Sequence, residues 1–397
     1  MNNFCHLFEA LQITTPSQVK EFSRKCGLNV KELKYYNEER VFPIGEDLRK
    51  IVKASGKSEI QLRLELGVFN EELLSMISKN AKQIQEILPR RAFATPNITQ
   101  DIEHFKTDLG KVFKQDCMEM LRAQPSKSVD LIFADPPFNL SKHYPSKIDD
   151  NLKEKDYISW SKGWIDECIR LLKPGGSFFL WNIPKWNIIF SEYMRNYLTF
   201  KHWIGVEFKN SLPVSSRLYP SHYSLLYFVK GKKPKSFHPD RLPMQVCQNC
   251  FKELKDYGGY KNKMNPKGVN LSDVWIDISP VRHAKFKRRK GSNELSVKLL
   301  DRVIEMASDE GDIILDPFGG SGTTYIVSEL KNRHWLGCEI GDLDIIKARF
   351  DLIESEAEIL KSYRDPLNEL FPEKIKQERK KRGLWIPEDF SGIDCSN

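Results

Sequence analysis

The apolar positions change their period along the chain. Up to about residue 82 they recur at helical spacing in short runs broken by glycine or proline. "TPSQVKEFSRKCGLNVKELKYYNEERVFPIGEDLRKIVKASGKS" predicts a helix from Ser17, a tight turn at Gly27 and a second helix from about Val30. Pro43 then precedes a third helix carrying Leu48, Ile51 and Val52. "LPRRAFATPNITQ" (88–100) has two prolines and little periodicity, and reads as a linker. Beyond it strand and helix patterns alternate. "GKVFKQDCMEML" predicts a strand ending near Asp116, and "VDLIFADPPF" predicts the next. "DYISWSKGWIDECIRLLKPGG" predicts an amphipathic helix with Trp160, Trp164, Ile165, Cys168 and Leu171 or Leu172 on its apolar side, stopped at Pro174, Gly175 and Gly176. "SFFLWN" predicts a strand, and "HWIGVEF" and "YSLLYFVKG" predict two more, close enough to pair. From about 232 to 290 the pattern lapses into polar, aromatic and basic sequence. It returns as helix "SVKLLDRVIEMAS", strand "DIILD", a Gly-rich turn, a helix and strand "HWLGCEIG". Such alternation predicts a mainly parallel α/β sheet. Near the end, "EKIKQERKKRG" predicts a solvated helix or tail.

A length of 397 residues suggests two or three domains, and 40% hydrophobic residues supply a sizeable core and exclude wholesale disorder. No apolar run approaches a membrane span, and "MNNFCHLFEALQ" lacks a basic region followed by an apolar core, so no membrane association is expected. Eight cysteines without framework spacing point to a reduced, cytoplasmic setting. A formal net charge of +8 is a weak pointer to an anionic partner.

Two stretches carry chemistry. In the first, the apolar run Leu131, Ile132, Phe133 suits a strand buried on both faces. Pro136 and Pro137 cannot continue a ladder or enter a helix, and Pro136 pushes Asp135 towards an extended backbone. Asp135 therefore falls at the carboxyl end of a strand, the edge where open α/β sheets bind ligands. The second stretch, "EGDIILDPFGGSGTTYIVSELK", ends a strand on Asp316 and passes through Gly319, Gly320 and Gly322 into a helix starting near Thr323 or Thr324. Glycines permit close backbone approach, and a helix start offers N–H groups to an anion. A nucleotide P-loop needs Lys where Thr323 stands, and a dinucleotide fingerprint needs Gly where Tyr325 stands. What remains is a small ligand with a carboxylate and a ribose. Glu339, ending a strand some twenty residues on, suits the ribose hydroxyls.

"DPPF" followed by "DPFGGSGTT" resembles the S-adenosylmethionine-dependent DNA amino-methyltransferases, and the order of the two motifs resembles their circularly permuted beta group. The resemblance covers about 101–360. It implies a Rossmann-like sheet of seven strands, six parallel and one antiparallel, and S-adenosylmethionine as cofactor. It implies that Asp316, Pro317, Phe318, Gly320, Ser321, Gly322 and Thr323 face the methionine part, that Glu339 holds the ribose and that Asp116 reaches the adenine. Asn293 and Glu294 begin the preceding helix and would touch the methionine end or simply cap the helix. Asp135, Pro136, Pro137 and Phe138 would be catalytic. An exocyclic amine is a poor nucleophile because its lone pair is delocalised, and the base must leave the stack to be reached. Asp135 and the Pro136 carbonyl would each accept one amine hydrogen, and Phe138 would stack on the base. In the family, Asp at the first motif position goes with adenine N6 and Ser with cytosine N4. Asp135 therefore favours adenine, with cytosine N4 as the alternative.

A C5-cytosine methyltransferase needs a Pro-Cys loop, and a zinc deaminase needs His-x-Glu with Pro-Cys-x-x-Cys; the chain has neither. Cys247 and Cys250 form one C-x-x-C, but zinc would need about two more ligands. His222 and His238 offer only irregular spacing, so a reduced thiol pair accounts for the same residues and no metal is assigned. The expected organisation is a small all-helical unit over 1–87, a linker over 88–100, a methyltransferase domain over 101–365 and a basic tail over 366–397. Within the third, "KDYGGYKNK" and "KFKRRK" mark 232–290 as a target-recognition region for double-stranded DNA. The N-terminal helices loosely resemble a phage-repressor helix-turn-helix, and a plain helical bundle fits them equally. A non-enzymatic regulator would account for those helices but not for the two loops at strand ends. A cognate restriction endonuclease is the further partner the resemblance allows.

Overall fold

The computed structural model describes residues 6–39, 41–87, 102–140, 151–207, 215–216, 218–242, 244, 247, 253–256, 258–260, 263, 265, 268–278, 294–364, 373–384 and 386. The chain divides into two compact units, Met1–Thr95 with Leu152–Lys162, and Pro96–Asn151 with Gly163–Asn397.

Short helices build the first unit. Thr15 caps Pro16–Cys26 through a reciprocal pair with Gln18, and Gly27 ends that helix at φ 72°. Only a residue without Cβ adopts this left-handed turn without strain. Asn29 then caps Val30–Glu38 through Glu32. These are the helices expected from Ser17 and Val30, and the third expected helix is Gly45–Ser55. Leu33, Ile51 and Leu62 are fully buried at its centre, joined by Leu7, Leu28 and Leu48.

A nine-stranded sheet organises the second unit. Its strands are β1 (His104–Lys106), β2 (Gly110–Lys114), β3 (Val129–Ala134), β4 (Leu172–Asn182), β5 (Thr199–Glu207) and β6 (His222–Val229), followed, after a separate pair, by β9 (Val274–Trp275), β10 (Ile313–Asp316) and β11 (His334–Glu339). The separate pair is β7 (Arg241–Leu242) with β8 (Val269–Asn270). Across the large sheet the order is β1-β2-β11-β10-β3-β4-β6-β5-β9. The strands β2, β11, β10, β3, β4 and β5 run parallel, and β6 runs antiparallel between β4 and β5. That is the expected set of seven, six parallel and one antiparallel. Two short edge strands, β1 and β9, extend it beyond the expectation. All six residues of β3 are buried, as a strand covered on both faces requires.

The expected stop at Pro174–Gly176 is instead part of β4. Pairing with β3 shifts register between Val129 and Leu131, so the Pro-Gly-Gly run is absorbed as an irregularity within the strand. Gly176 fits because a Cβ there would meet Leu172 and the Asp130 carbonyl at 2.7–2.8 Å. The "EKIKQERKK" run forms helix Glu373–Lys381, but Arg379 and the nearby Ile386 are buried, so it is not a wholly solvated tail. The expected linker at 88–100 and much of 232–290 lie outside the described residues. Among the described residues no helix is long and apolar enough to cross a membrane.

Candidate active site

Four adjacent parallel strands, β2, β11, β10 and β3, bring their carboxyl ends to one edge. Asp116 follows β2, Glu339 ends β11, Asp316 ends β10 and Asp135 follows β3. Neighbouring strands lie about 4.8 Å apart, so the row spans about 14 Å. The chain leaves β10 through helix Thr323–Leu330 towards β11 on one side, and β3 through Glu154–Leu171 towards β4 on the other. The strand order therefore switches between Asp316 and Asp135. Open α/β sheets form their ligand crevice at such a switch.

The Gly-rich loop is organised around buried acids. Asp316 is 2% exposed; it accepts hydrogen bonds from the Phe318 amide (2.9 Å) and the Thr324 hydroxyl. Burial pushes its carboxyl up to about 7 against the pull of those two donors. Glu339 accepts from the Gly320 and Gly341 amides, each at 2.8 Å, and burial raises its carboxyl too. Gly320 and Gly322 stand at φ 51° and 74°, and Gly322 caps helix Thr323–Leu330. Beside them Gly319 leaves no room for a side chain: a Cβ would fall 2.7 Å from the Tyr325 hydroxyl.

Ser321 and Thr323 turn inward. Arg349, fully buried, donates to Thr323 Oγ1 at 2.6 Å and to the Ser321 carbonyl at 3.2 Å. Its other amino group pairs with Glu356 at 3.2 Å and faces Glu294 at 3.8 Å. Glu294 thus lies beside Arg349, behind the loop. Arg349 was missed in the sequence, although a charge three residues after Ile346 on an apolar helix face is a legible signal. Asp116 is placed as the cap of helix Cys117–Ala123, accepting from the Met118 amide at 2.8 Å.

After β3, Asp135 is half-buried, Pro136 is buried and Pro137 is half-buried. Phe138 is 7% exposed, its ring 5.8 Å from that of Tyr223. Trp186 Nε1 donates to the Phe138 carbonyl at 2.6 Å, which pins the end of the motif. Trp181 packs on Tyr223 in turn, with centroids 4.8 Å apart. None of these three aromatics was legible as a site residue, because an aromatic on a strand or helix reads as core. The Phe318 ring meets Trp164 edge-on at 5.1 Å. Of the histidines weighed for zinc, His238 bonds Asp309 at 2.8 Å, and Cys250 lies outside the described residues. Among the described residues no group of three or more His, Cys, Asp or Glu could hold a metal.

The site's donors and acceptors fit S-adenosylmethionine. Glu339 draws on the Gly320, Gly341 and Ile340 amides, and a carboxylate with about four lone-pair sites still has room for a hydroxyl such as a ribose would offer. The exposed Gly320 leaves backbone open to close approach, and a helix N-terminus adjoins it.

The family model for the N6/N4 DNA methylases matches residues 129–347, from β3 through Glu339. The type II methyltransferase M.BamHI of Bacillus amyloliquefaciens is 48% identical over 380 residues, covering 95% of this chain and 90% of that protein. The DNA adenine methyltransferase YhdJ of Escherichia coli (strain K12) is 32% identical over 240 residues, 59% of this chain and 80% of that one. Among solved structures, the PvuII DNA methyltransferase (cytosine-N4-specific) is 19% identical with a TM-score of 0.45, covering 65% of this chain and 93% of that one. The chain belongs to the N6/N4 family of S-adenosylmethionine-dependent DNA methyltransferases.

Proposed function

We propose that this chain methylates N6 of adenine at a specific site in double-stranded DNA, on a base turned out of the helix. The observation that carries the reading is the position of Asp135, across the strand-order switch from Asp316 and the Gly-rich loop. Along the edge, Asp116 reads the cofactor adenine, Glu339 the ribose, and Asp316 with the loop Pro317, Phe318, Gly320, Ser321, Gly322 and Thr323 the methionine part. Because the Ser321 and Thr323 hydroxyls engage each other and Arg349, those two residues offer the cofactor backbone rather than side chain. When bound, S-adenosylmethionine supplies an electrophilic methyl group on a sulfonium centre.

The chain's own residues prepare the nucleophile. The Asp135 carboxylate accepts one hydrogen of the exocyclic amine and the Pro136 carbonyl accepts the other. Held in this way, the nitrogen lone pair leaves the ring system and points at the cofactor crevice. Asp135 is also the group placed to take the proton the nitrogen gives up. Pro136 and Pro137 keep the two acceptors in fixed relation. Phe138 stacks on the base, and since its ring is covered in this structure, DNA entry must uncover it.

Residues 232–290 choose the site, within a catalytic domain of 101–365. Residues 1–87, joined through 88–100, act as a helix-turn-helix-like second contact, and 366–397 is a basic tail. The protein works in the cytoplasm beside a cognate restriction endonuclease. Asp135 and the adenine-directed name of the E. coli relative support adenine. Cytosine N4 is the second reading, because one carboxylate and one carbonyl satisfy any ring amine with two hydrogens. The test is methylation of plasmid DNA with methyl-labelled cofactor, digestion to nucleosides and chromatography. Label in N6-methyldeoxyadenosine is expected; label in N4-methyldeoxycytidine overturns adenine and leaves the family standing.

A further inference from the structure

The segment read as target-recognizing leaves and rejoins the catalytic unit through a narrow neck. Its outgoing leg is β7 and its returning leg begins at β8, and the two pair antiparallel with residues 243–268 between them. Leu271 donates to the Asp240 carbonyl at 2.8 Å, and Arg241 reaches the Gly268 carbonyl at 3.0 Å. The returning leg then lays β9 along β5.

Both legs meet one guanidinium. Arg302, 1% exposed, lies on helix Val297–Ala307, which leads into the Asp316 strand. Its two terminal nitrogens donate to the two Asp277 oxygens at 2.9 and 2.8 Å, a planar fork on the returning leg. Its Nε faces Asp240 at 3.5 Å on the outgoing leg. Its Cζ lies over the buried Trp275 ring, 5.0 Å from the centroid. Arg364 holds Asp240 from the far side at 2.6 Å. Lys298 adds a second cation to Asp277 at 2.6 Å. Burial opposes charge on Asp277, but its bonds to Arg302 and Lys298 outweigh that and hold its carboxyl below the usual range.

Cohesion alone does not call for this arrangement. The same helix already buries Leu299, Leu300, Val303 and Ile304. An apolar side chain in place of a buried ion pair is often neutral or stabilising. A guanidinium fork adds direction: it accepts one relative placement of two carboxylates and one ring.

We propose that Arg302 is a positioning residue for DNA sequence choice, fixing both legs of the target-recognition segment against the helix that carries the cofactor strand. The proposal rests on the reading of 232–290 as that segment. A lysine keeps the charge but cannot fork, so Arg302→Lys separates geometry from charge. Asp277→Asn, at a half-exposed carboxylate, is the second variant should the first not fold.

The experiment is methylation of a mixed-sequence plasmid library by each variant, read by modification-sensitive sequencing, with calorimetry for S-adenosylmethionine. Expected is leakage onto sites one base pair away, lowering the cognate-to-near-cognate ratio about tenfold, the scale of one mismatch. Cofactor affinity should be unchanged. A folded variant with the wild-type ratio overturns the proposal. So does a uniform fall in all methylation with weakened cofactor binding, which marks a structural role only. Lys255→Ala with Tyr260→Ala tests the underlying reading at exposed residues of the segment. If that pair leaves site choice unchanged, the target-recognition reading fails. If it shifts site choice while the Arg302 and Asp277 variants do not, the Arg302 proposal alone fails.

Discussion

Arg349 donates to the Thr323 hydroxyl at 2.6 Å from behind the Gly-rich loop, and the same guanidinium pairs with Glu356 at 3.2 Å. The loop's shape is thus set by a charge that the loop itself hides. Removing that charge takes a buried cation away from two buried carboxylates, Glu356 and Glu294, so Arg349→Met should lose about 3–5 kcal/mol of stability. Arg349→Lys should fold, raise KM for S-adenosylmethionine about tenfold and leave kcat nearly unchanged, since one lost charged hydrogen bond is worth about 1.5–3 kcal/mol. Thermal unfolding and initial-rate kinetics on the two variants measure this.

Asp316 titrates near 7 because it is buried, and this has a defined sign. Its carboxyl in the fold keeps a proton that the unfolded chain has already released. Between about pH 4 and about pH 7 its contribution to stability therefore falls as pH rises, and it is flat above. Asp316→Asn removes that contribution. Denaturant unfolding of cofactor-free protein should show the variant gaining on the wild type from pH 5 to pH 8. Cofactor affinity of the wild type should rise over the same window, as the anion that attracts the sulfonium and ammonium forms. A constant difference in stability across those pH values would sink the assignment.

Gly320 combines φ 51°, an exposed backbone and a hydrogen bond to Glu339. Gly320→Val puts a β-branched side chain where the backbone is left-handed and the cofactor must approach. Calorimetry should show loss of S-adenosylmethionine affinity by at least about tenfold, with circular dichroism unchanged. Unchanged affinity in the folded variant would move the cofactor elsewhere.

Asp135→Ala removes one of the two acceptors for the target amine and leaves the Gly-rich loop untouched. Methyl transfer should fall by at least about a hundredfold, the scale of positioned acid–base groups. Cofactor affinity should hold. Wild-type turnover in a labelled-methyl assay would refute the role.

The strand ends were legible because their signals are local. A buried apolar run, a carboxylate and then Pro-Pro or Pro-Phe-Gly-Gly can be read within ten residues, and β3 and β10 stand where those runs put them. What joins distant segments was not legible. Trp186 reaches the Phe138 carbonyl from 48 residues away, and Arg364 reaches Asp240 from 124. Such partners are chosen by the fold, and their own neighbours in sequence do not mark them. The edge strands β1 and β9 were missed for another reason: three and two residues are too few to show a period. The Pro-Gly-Gly run misled because strong breakers can be absorbed within a strand that shifts register.

The N-terminal helices pose the remaining test. Helix Val30–Glu38 follows the Gly27 turn, as a recognition helix would, and exposes Lys31 and Lys34 beside a half-exposed Tyr35. It also carries Glu32 and Glu38, so net charge alone does not draw it to phosphate. If the two lysines meet phosphates, each releases about one counterion on binding. Lys31→Ala with Lys34→Ala should then weaken DNA binding and make the slope of log K against log salt shallower by about 2. The lysines lie on a solvent face, so folding and cofactor binding should not change. Fluorescence anisotropy across a salt series reads the slope directly. An unchanged slope with unchanged affinity would leave this unit a packing or partner-binding element, with DNA held by the catalytic domain alone.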